Sequence, residues 1–149
     1  MISEIVNLNN PQLISVLNNA KSEVDIHGRG TGKSYIIGWE MNNIIRYMPR
    51  SVTAITGCTY GQILTRTLPS SFKFLEKIGF EKDRDYVIAE KPKKGWLSPY
   101  ERITKFDHAI SFSNGTVFML QSQEGKGTSR GPNLDREIVD EALTIKKER

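Results

Sequence analysis

The sequence predicts an α/β fold with a largely parallel sheet flanked by helices, and three observations carry that prediction. Short β-branched, apolar runs alternate with segments of helical periodicity, as in a sheet whose helices return over its faces. A glycine-rich loop at 27–34 separates one such run from an amphipathic segment. Asn114-Gly115 stands between two β-rich runs, the strongest short signal for a hairpin, because both residue types tolerate positive φ. The chain's 149 residues suit one domain or part of one.

Taken in order, Asn10-Pro11 reads as an N-cap followed by proline at the first helical position. Leu13, Ile14 and Leu17 then recur at helical spacing, which predicts a helix from Pro11 to about Ala20. Val24-Asp25-Ile26 reads as a short buried strand running into the glycine-rich loop. Ile37, Met41, Ile44, Ile45 and Met48 mark one face of a helix that Pro49 stops. Val52 to Thr56 is the second strand. Tyr60, Ile63, Leu64 and Leu68 predict a helix broken at Pro69, with Phe72, Leu75 and Ile78 continuing a helical face to a C-cap at Gly79. Tyr86 to Ile88 is a short strand, 91–95 a basic loop, and 109–113 with 116–121 the arms of the hairpin, read as an insertion in the sheet. Residues 125–132 form a polar, glycine-rich loop, and Glu137-Ile138-Val139 a last strand leading into Asp140-Glu141.

Composition narrows the class. With 38% hydrophobic and 26% charged residues, the chain has material for a core and too much apolar content for disorder. No apolar run reaches spanning length, so no transmembrane helix and no membrane partner are predicted. Residues 1–10 lack the basic flank and long apolar region of a secretory signal. The single cysteine, Cys58, excludes an internal disulfide and a cysteine-based zinc site, and makes a reducing cytosol the default compartment. It reads as a small buried filler after a strand. A net charge of +4 and a pI near 9.2 permit contact with nucleic acid without arguing for it.

The loop His27-Gly28-Arg29-Gly30-Thr31-Gly32-Lys33-Ser34 carries the chemistry. It ends as the phosphate-binding pattern G-x-x-x-x-G-K-[ST] requires, but His27 stands where that pattern has its first glycine. Gly28, Gly30 and Gly32 leave the backbone free to wrap a phosphate, while N–H groups, Thr31 included, face the anion at a helix start. Lys33 would reach the β- and γ-phosphates of ATP, and the Ser34 hydroxyl would hold Mg²⁺. Two readings stay open for Arg29: a contact to the γ-phosphate, or a solvated loop arginine. Asp140 and Glu141 follow an apolar run, the form of a Walker B strand end. Asp140 would hold Mg²⁺ through water and Glu141 would orient the attacking water. An Asp-Glu pair by itself more often starts a solvated helix; the accompanying loop gives it meaning.

Together HGRGTGKS at 27–34, ISFSNGTVFML at 110–120 and GTSRGPNLDREIVDEA at 127–142 resemble the ATPase domain of the large terminase subunit of tailed phages, the motor that packages DNA. The likeness runs from about Gln12 onward, and 58–108 adds little to it. It implies a RecA-like P-loop NTPase core, ATP and Mg²⁺ as cofactors, double-stranded DNA as partner, a homo-oligomeric ring, and contacts with portal and small terminase subunit in the cytoplasm of an infected bacterium. It implies that Glu141 is the catalytic carboxylate and matches Arg29 to the arginine of the terminase phosphate loop. Gln12 is similar to the glutamine that reads adenine in such motors, with an exposed helical glutamine as the alternative. Arg130 either stabilises the transferring phosphate or is a structural loop arginine.

The chain ends eight residues after Glu141, before the later strand and the nuclease domain of that family. The expectation is therefore a partial ATPase domain over 1–149, a fragment or truncated product. Its sheet would lack a central strand and expose an apolar edge. Two alternatives stay beside the packaging motor: another P-loop ATPase such as a helicase-like protein, and a non-enzymatic nucleotide-binding or interaction module. Lys91, Lys93 and Lys94 beside Trp96 read as a solvated loop with an anchoring tryptophan before they read as a DNA contact.

Overall fold

A computed structural model of the chain describes residues 6–18, 20, 21, 23, 32–123 and 133–140. Within them the architecture is mixed α/β, with one five-stranded sheet in the order β2-β3-β4-β1-β5. The strands are β1 (Val52–Gly57), β2 (Tyr86–Ile88), β3 (Ala109–Phe112), β4 (Val117–Ser122) and β5 (Arg136–Val139). The helices are α1 (Asn10–Leu17), α2 (Lys33–Tyr47), α3 (Tyr60–Gln62) and α4 (Leu68–Lys77), the last two joined by a π-helical segment, Ile63–Thr67. No helix among the described residues is long and apolar enough to cross a membrane.

The sheet corrects the expectation of a largely parallel arrangement. β1 is parallel to both its neighbours, β4 and β5, whereas β2–β3 and β3–β4 are antiparallel. Nor is the hairpin an insertion: its second arm, β4, is the strand beside β1, with Ile55 opposite Leu120 and Thr53 opposite Phe118. The turn itself also departs from the doubly positive-φ form. Only Gly115 takes positive φ, at 86°. The Gly115 N–H donates to Phe112 O (3.0 Å) and the Phe112 N–H to Thr116 O (2.9 Å), giving a three-residue loop that ends in a left-handed glycine. Asn114 serves elsewhere: its Nδ2 donates to the carbonyl of Ile45 at 2.7 Å, satisfying one of the orphan carbonyls at the end of α2.

α1 begins one residue earlier than the sequence suggested. Asn9 is the N-cap, and a capping box joins it to Gln12: the Gln12 N–H donates to Asn9 Oδ1 (3.0 Å) and the Asn9 N–H to Gln12 Oε1 (2.9 Å). α2 buries Ile37, Met41, Ile44 and Ile45 of the stripe its periodicity predicted, together with Ile36, and ends at Tyr47, so that Met48 is a half-buried C-cap ahead of Pro49. The predicted break at Pro69 does not occur. In a regular α-helix the proline ring would strike the carbonyl four residues back. Here the preceding turn is widened, with the Leu68 N–H donating to Ile63 O, and Pro69 falls in the first turn of α4.

α2 and α4 cover one face of the sheet. Their apolar stripes meet Ile55, Ile110, Phe112, Phe118 and Leu120 in a single core. A run of rings, Phe72–Tyr86–Phe112–Phe118, crosses it with centroid separations of 5.3, 5.3 and 5.7 Å. Each fully buried side chain of this kind stabilises the fold by about 1.5–3 kcal/mol relative to exposure. Trp39 packs edge-on to Phe74, as a structural residue should. The basic loop is pinned, with Lys93 Nζ donating to the carbonyl of Asp83 and the Trp96 N–H to Lys93 O. At the opposite side of the sheet β5 forms the edge of the described strands. Arg136 and Glu137 are exposed there, and Val139 is 47% exposed.

Candidate functional site

Gly32 starts the site. It is the N-cap of α2 in the left-handed region, φ 81°, which a glycine adopts without a Cβ penalty. Its carbonyl accepts from the N–H groups of Tyr35 (3.0 Å) and Ile36 (3.3 Å). The N–H groups of Lys33 and Ser34 have no acceptor among the described residues. No acidic side chain lies in this first turn to offset the positive helix end. That arrangement is suited to an anion.

Gln12 closes over the same corner. It is 7% exposed, so the exposed helical glutamine of one sequence reading is corrected. Its Nε2 donates to Gly32 O at 3.2 Å while its Oε1 is taken by the capping box. A Cβ at position 32 would overlap this amide. Gln12 therefore ties α1 to the junction of loop and helix.

The acidic end of β5 approaches from the other side. The Asp140 N–H donates to Thr56 O (2.8 Å), extending the β1–β5 ladder past Val139. The Asp140 carboxylate accepts from the hydroxyl of Thr67 in the π-helical segment. Three residues earlier in the strand, Glu137 Oε1 accepts from Thr56 Oγ1 at 2.7 Å.

Lys33, Ser34 and Asp140 line one cleft of about 80 Å³ together with Gly57, Cys58, Gln62, Ile63, Arg66 and Thr67. The space between these residues is well below the roughly 300–1,000 Å³ of a small-molecule pocket and suits a small group, such as a cation or the tip of a phosphate. The donor set is consistent with that: an ammonium and a helix start for anionic oxygens, one carboxylate and hydroxyls for a hard cation. Among the described residues no three His, Cys, Asp or Glu side chains converge. A cation here would hold one carboxylate and keep water or phosphate oxygens as its other ligands, the habit of Mg²⁺.

Of the residues predicted from sequence, the structure brings Gln12, Gly32, Lys33, Ser34 and Asp140 to this corner. Gly28, Arg29, Gly30, Thr31, Arg130 and Glu141 lie outside the described residues, as does the predicted strand at 24–26. Cys58 is corrected from buried filler to a half-buried residue lining the cleft. Arg66, Thr67 and Ser71 were not singled out. The i, i+4 spacing of Thr67 and Ser71 was legible as a shared helix face, but nothing in the string aimed that face at Asp140. No protein-family model, curated protein or solved structure matches the chain.

Proposed function

We propose that this chain carries the ATP-hydrolysing core of a P-loop motor of the kind that packages double-stranded DNA into phage capsids. The observation that carries the reading is the meeting of Lys33 and Ser34, at the start of α2, with Asp140, at the end of β5, around one cleft. These residues are 106 positions apart from Ser34 to Asp140 in the chain, so their convergence is not a local accident of sequence. In this reading the backbone around Gly28, Gly30, Thr31 and Gly32 wraps the phosphates, and Lys33 binds the β- and γ-phosphate oxygens. Ser34 and Asp140 hold Mg²⁺, which neutralises charge on the phosphates. Glu141 orients and accepts a proton from the attacking water. Arg29 and Arg130 supply positive charge to the transferring phosphoryl group, and Gln12, placed over Gly32, contacts the base.

The packaging assignment within P-loop ATPases is supported by the order of hairpin, Ser-Arg-Gly loop and Asp-Glu-Ala in the sequence. The RecA-like core, the ring, and partnership with DNA, portal and small terminase subunit belong to this same proposal. The test is ATP turnover and binding of a fluorescent ATP analogue, with and without double-stranded DNA. Lys33→Ala and Glu141→Gln should each lower turnover by at least about 10²-fold, while Glu141→Gln still binds nucleotide. Full activity in either variant refutes the site. Stimulation by single-stranded but not double-stranded DNA would favour a helicase-like protein instead. Binding without turnover in the unmodified protein would favour the non-enzymatic module.

A further inference from the structure

The segment that follows β1 touches both halves of the candidate site. Thr67, 3% exposed, donates its hydroxyl hydrogen to Asp140 Oδ2. Ser71, fully buried, donates to the carbonyl of Ser34 at 2.7 Å, with the Thr67 carbonyl at 3.3 Å as a weaker second acceptor. The two hydroxyls are four residues apart and so share one helix face. A helical threonine commonly bonds back to the carbonyl four residues earlier, as Thr65 does to Gly61, whereas the Thr67 hydroxyl goes to Asp140 instead. Threonine's stiff χ1 then fixes the direction of its hydroxyl.

We infer that Thr67 and Ser71 form a two-point brace that sets the position of Asp140 relative to Ser34, and so prepares the cleft to take a divalent cation. The inference rests on the nucleotide-site reading proposed above. Both are positioning residues. Thr67 occupies Asp140 Oδ2, which leaves Oδ1 without a side-chain partner among the described residues and available to a cation. Ser71 holds the start of α2 through backbone, next to the Ser34 hydroxyl that would be a ligand. Outer partners of this type orient the ligating oxygen, and removing one typically costs about 10–100-fold in metal affinity.

The experiment is a Mg²⁺ titration of fluorescent ATP-analogue binding by the full chain, repeated without Mg²⁺. Thr67→Val should raise the Mg²⁺ concentration for half-saturation by about tenfold or more. Metal-free nucleotide binding should be unchanged, because Lys33 and the start of α2 are untouched. Thr67→Ser keeps the hydroxyl and should restore a near-normal midpoint, which a purely packing role for the threonine methyl would not allow. Thr67→Ala removes the hydroxyl without adding bulk and stands in if the valine variant does not fold. Ser71→Ala should shift the Mg²⁺ midpoint in the same direction. A titration of Thr67→Val or Thr67→Ala that superimposes on the unmodified protein overturns the brace, as does a serine variant no better than valine. If the unmodified protein binds no Mg²⁺-nucleotide, the nucleotide reading fails first and the brace falls with it.

Discussion

Replacing Gly38 with alanine sets two physical effects against each other, and the structure decides the sign. Gly38 lies in the middle of α2, where alanine is favoured over glycine by about 0.8–1 kcal/mol of helix propensity. From propensity alone the substitution stabilises. But Gly38 is where α2 crosses α4. A Cβ there would sit 2.8 Å from the carbonyl oxygen of Ser71, 2.9 Å from Phe74 Cβ and 3.0 Å from Ser71 Cα. Two of those atoms are backbone and the third is a first side-chain carbon, so no rotamer change relieves the contact. Overpacking of this kind costs about 1–3 kcal/mol. The net effect is a destabilisation of about 1 kcal/mol, which for a chain of this length lowers the melting temperature by about 4 °C. Circular dichroism melts and urea unfolding at unchanged m-value are the assays. The separation of α2 from α4 should also lengthen the Ser71–Ser34 hydrogen bond. A Gly38→Ala protein as stable as the parent, or more so, would show that the two helices do not cross as closely as described and would refute the reasoning.

Two further predictions concern polar atoms in the core. Thr53 is fully buried in β1, and its Oγ1 has no hydrogen-bond partner among the described residues. Thr53→Val keeps the shape and removes the orphan hydroxyl, so it should stabilise the protein by about 1–2 kcal/mol; a loss of stability in urea unfolding would mean that the hydroxyl is bonded in solution. Tyr86 is 2% exposed, and burial, its largest influence, pushes its hydroxyl from the ordinary value of 10.0 up to about 12. The folded protein therefore holds this proton longer than the unfolded chain. The associated stability is complete below pH 10.0 and is lost as pH rises through about 12. Tyr86→Phe has no such proton to lose, so its stability relative to the parent should improve steadily across that window; parallel curves would contradict the assignment.

What the sequence could reveal depended on whether its signal was periodic. The stripe of α2, the all-buried β1 and the two arms flanking Asn114-Gly115 each repeat a local geometry, and each is found close to where its pattern put it. Sheet direction is not a periodic property. Alternation of helices and strands favours parallel pairing on average, yet the chain enters β4 from a tight turn, which obliges β3 and β4 to run antiparallel. Pro69 misled for a related reason: the rule that proline breaks a helix assumes an unbroken α ladder, and the π-helical turn at Ile63–Thr67 removes that assumption. Gln12 was placed on a helix correctly, but its burial depends on Gly32, which is twenty residues away and recognisable only once the corner has formed.

The site divides along the same line. Lys33, Ser34 and Asp140 were legible because the proposed chemistry would need particular residue types at strand and helix ends. Thr67 and Ser71 were not, because a buried hydroxyl on a helix has many possible partners and the string names none of them. Yet the two classes depend on each other. Asp140 follows the edge of the described strands, whose side chains are largely exposed, so packing within that strand does little to fix its position. Among the described residues two contacts fix it: its backbone N–H to Thr56, and its carboxylate to Thr67. The first locates the residue along the ladder and leaves the carboxylate free to rotate. Only the second orients it. The helix carrying that hydroxyl also grips α2 at Ser34, four residues further on. Displacing this helix therefore moves Asp140 and the start of α2 together, whereas removing the Thr67 hydroxyl alone should disorient the carboxylate while leaving the start of α2 in place.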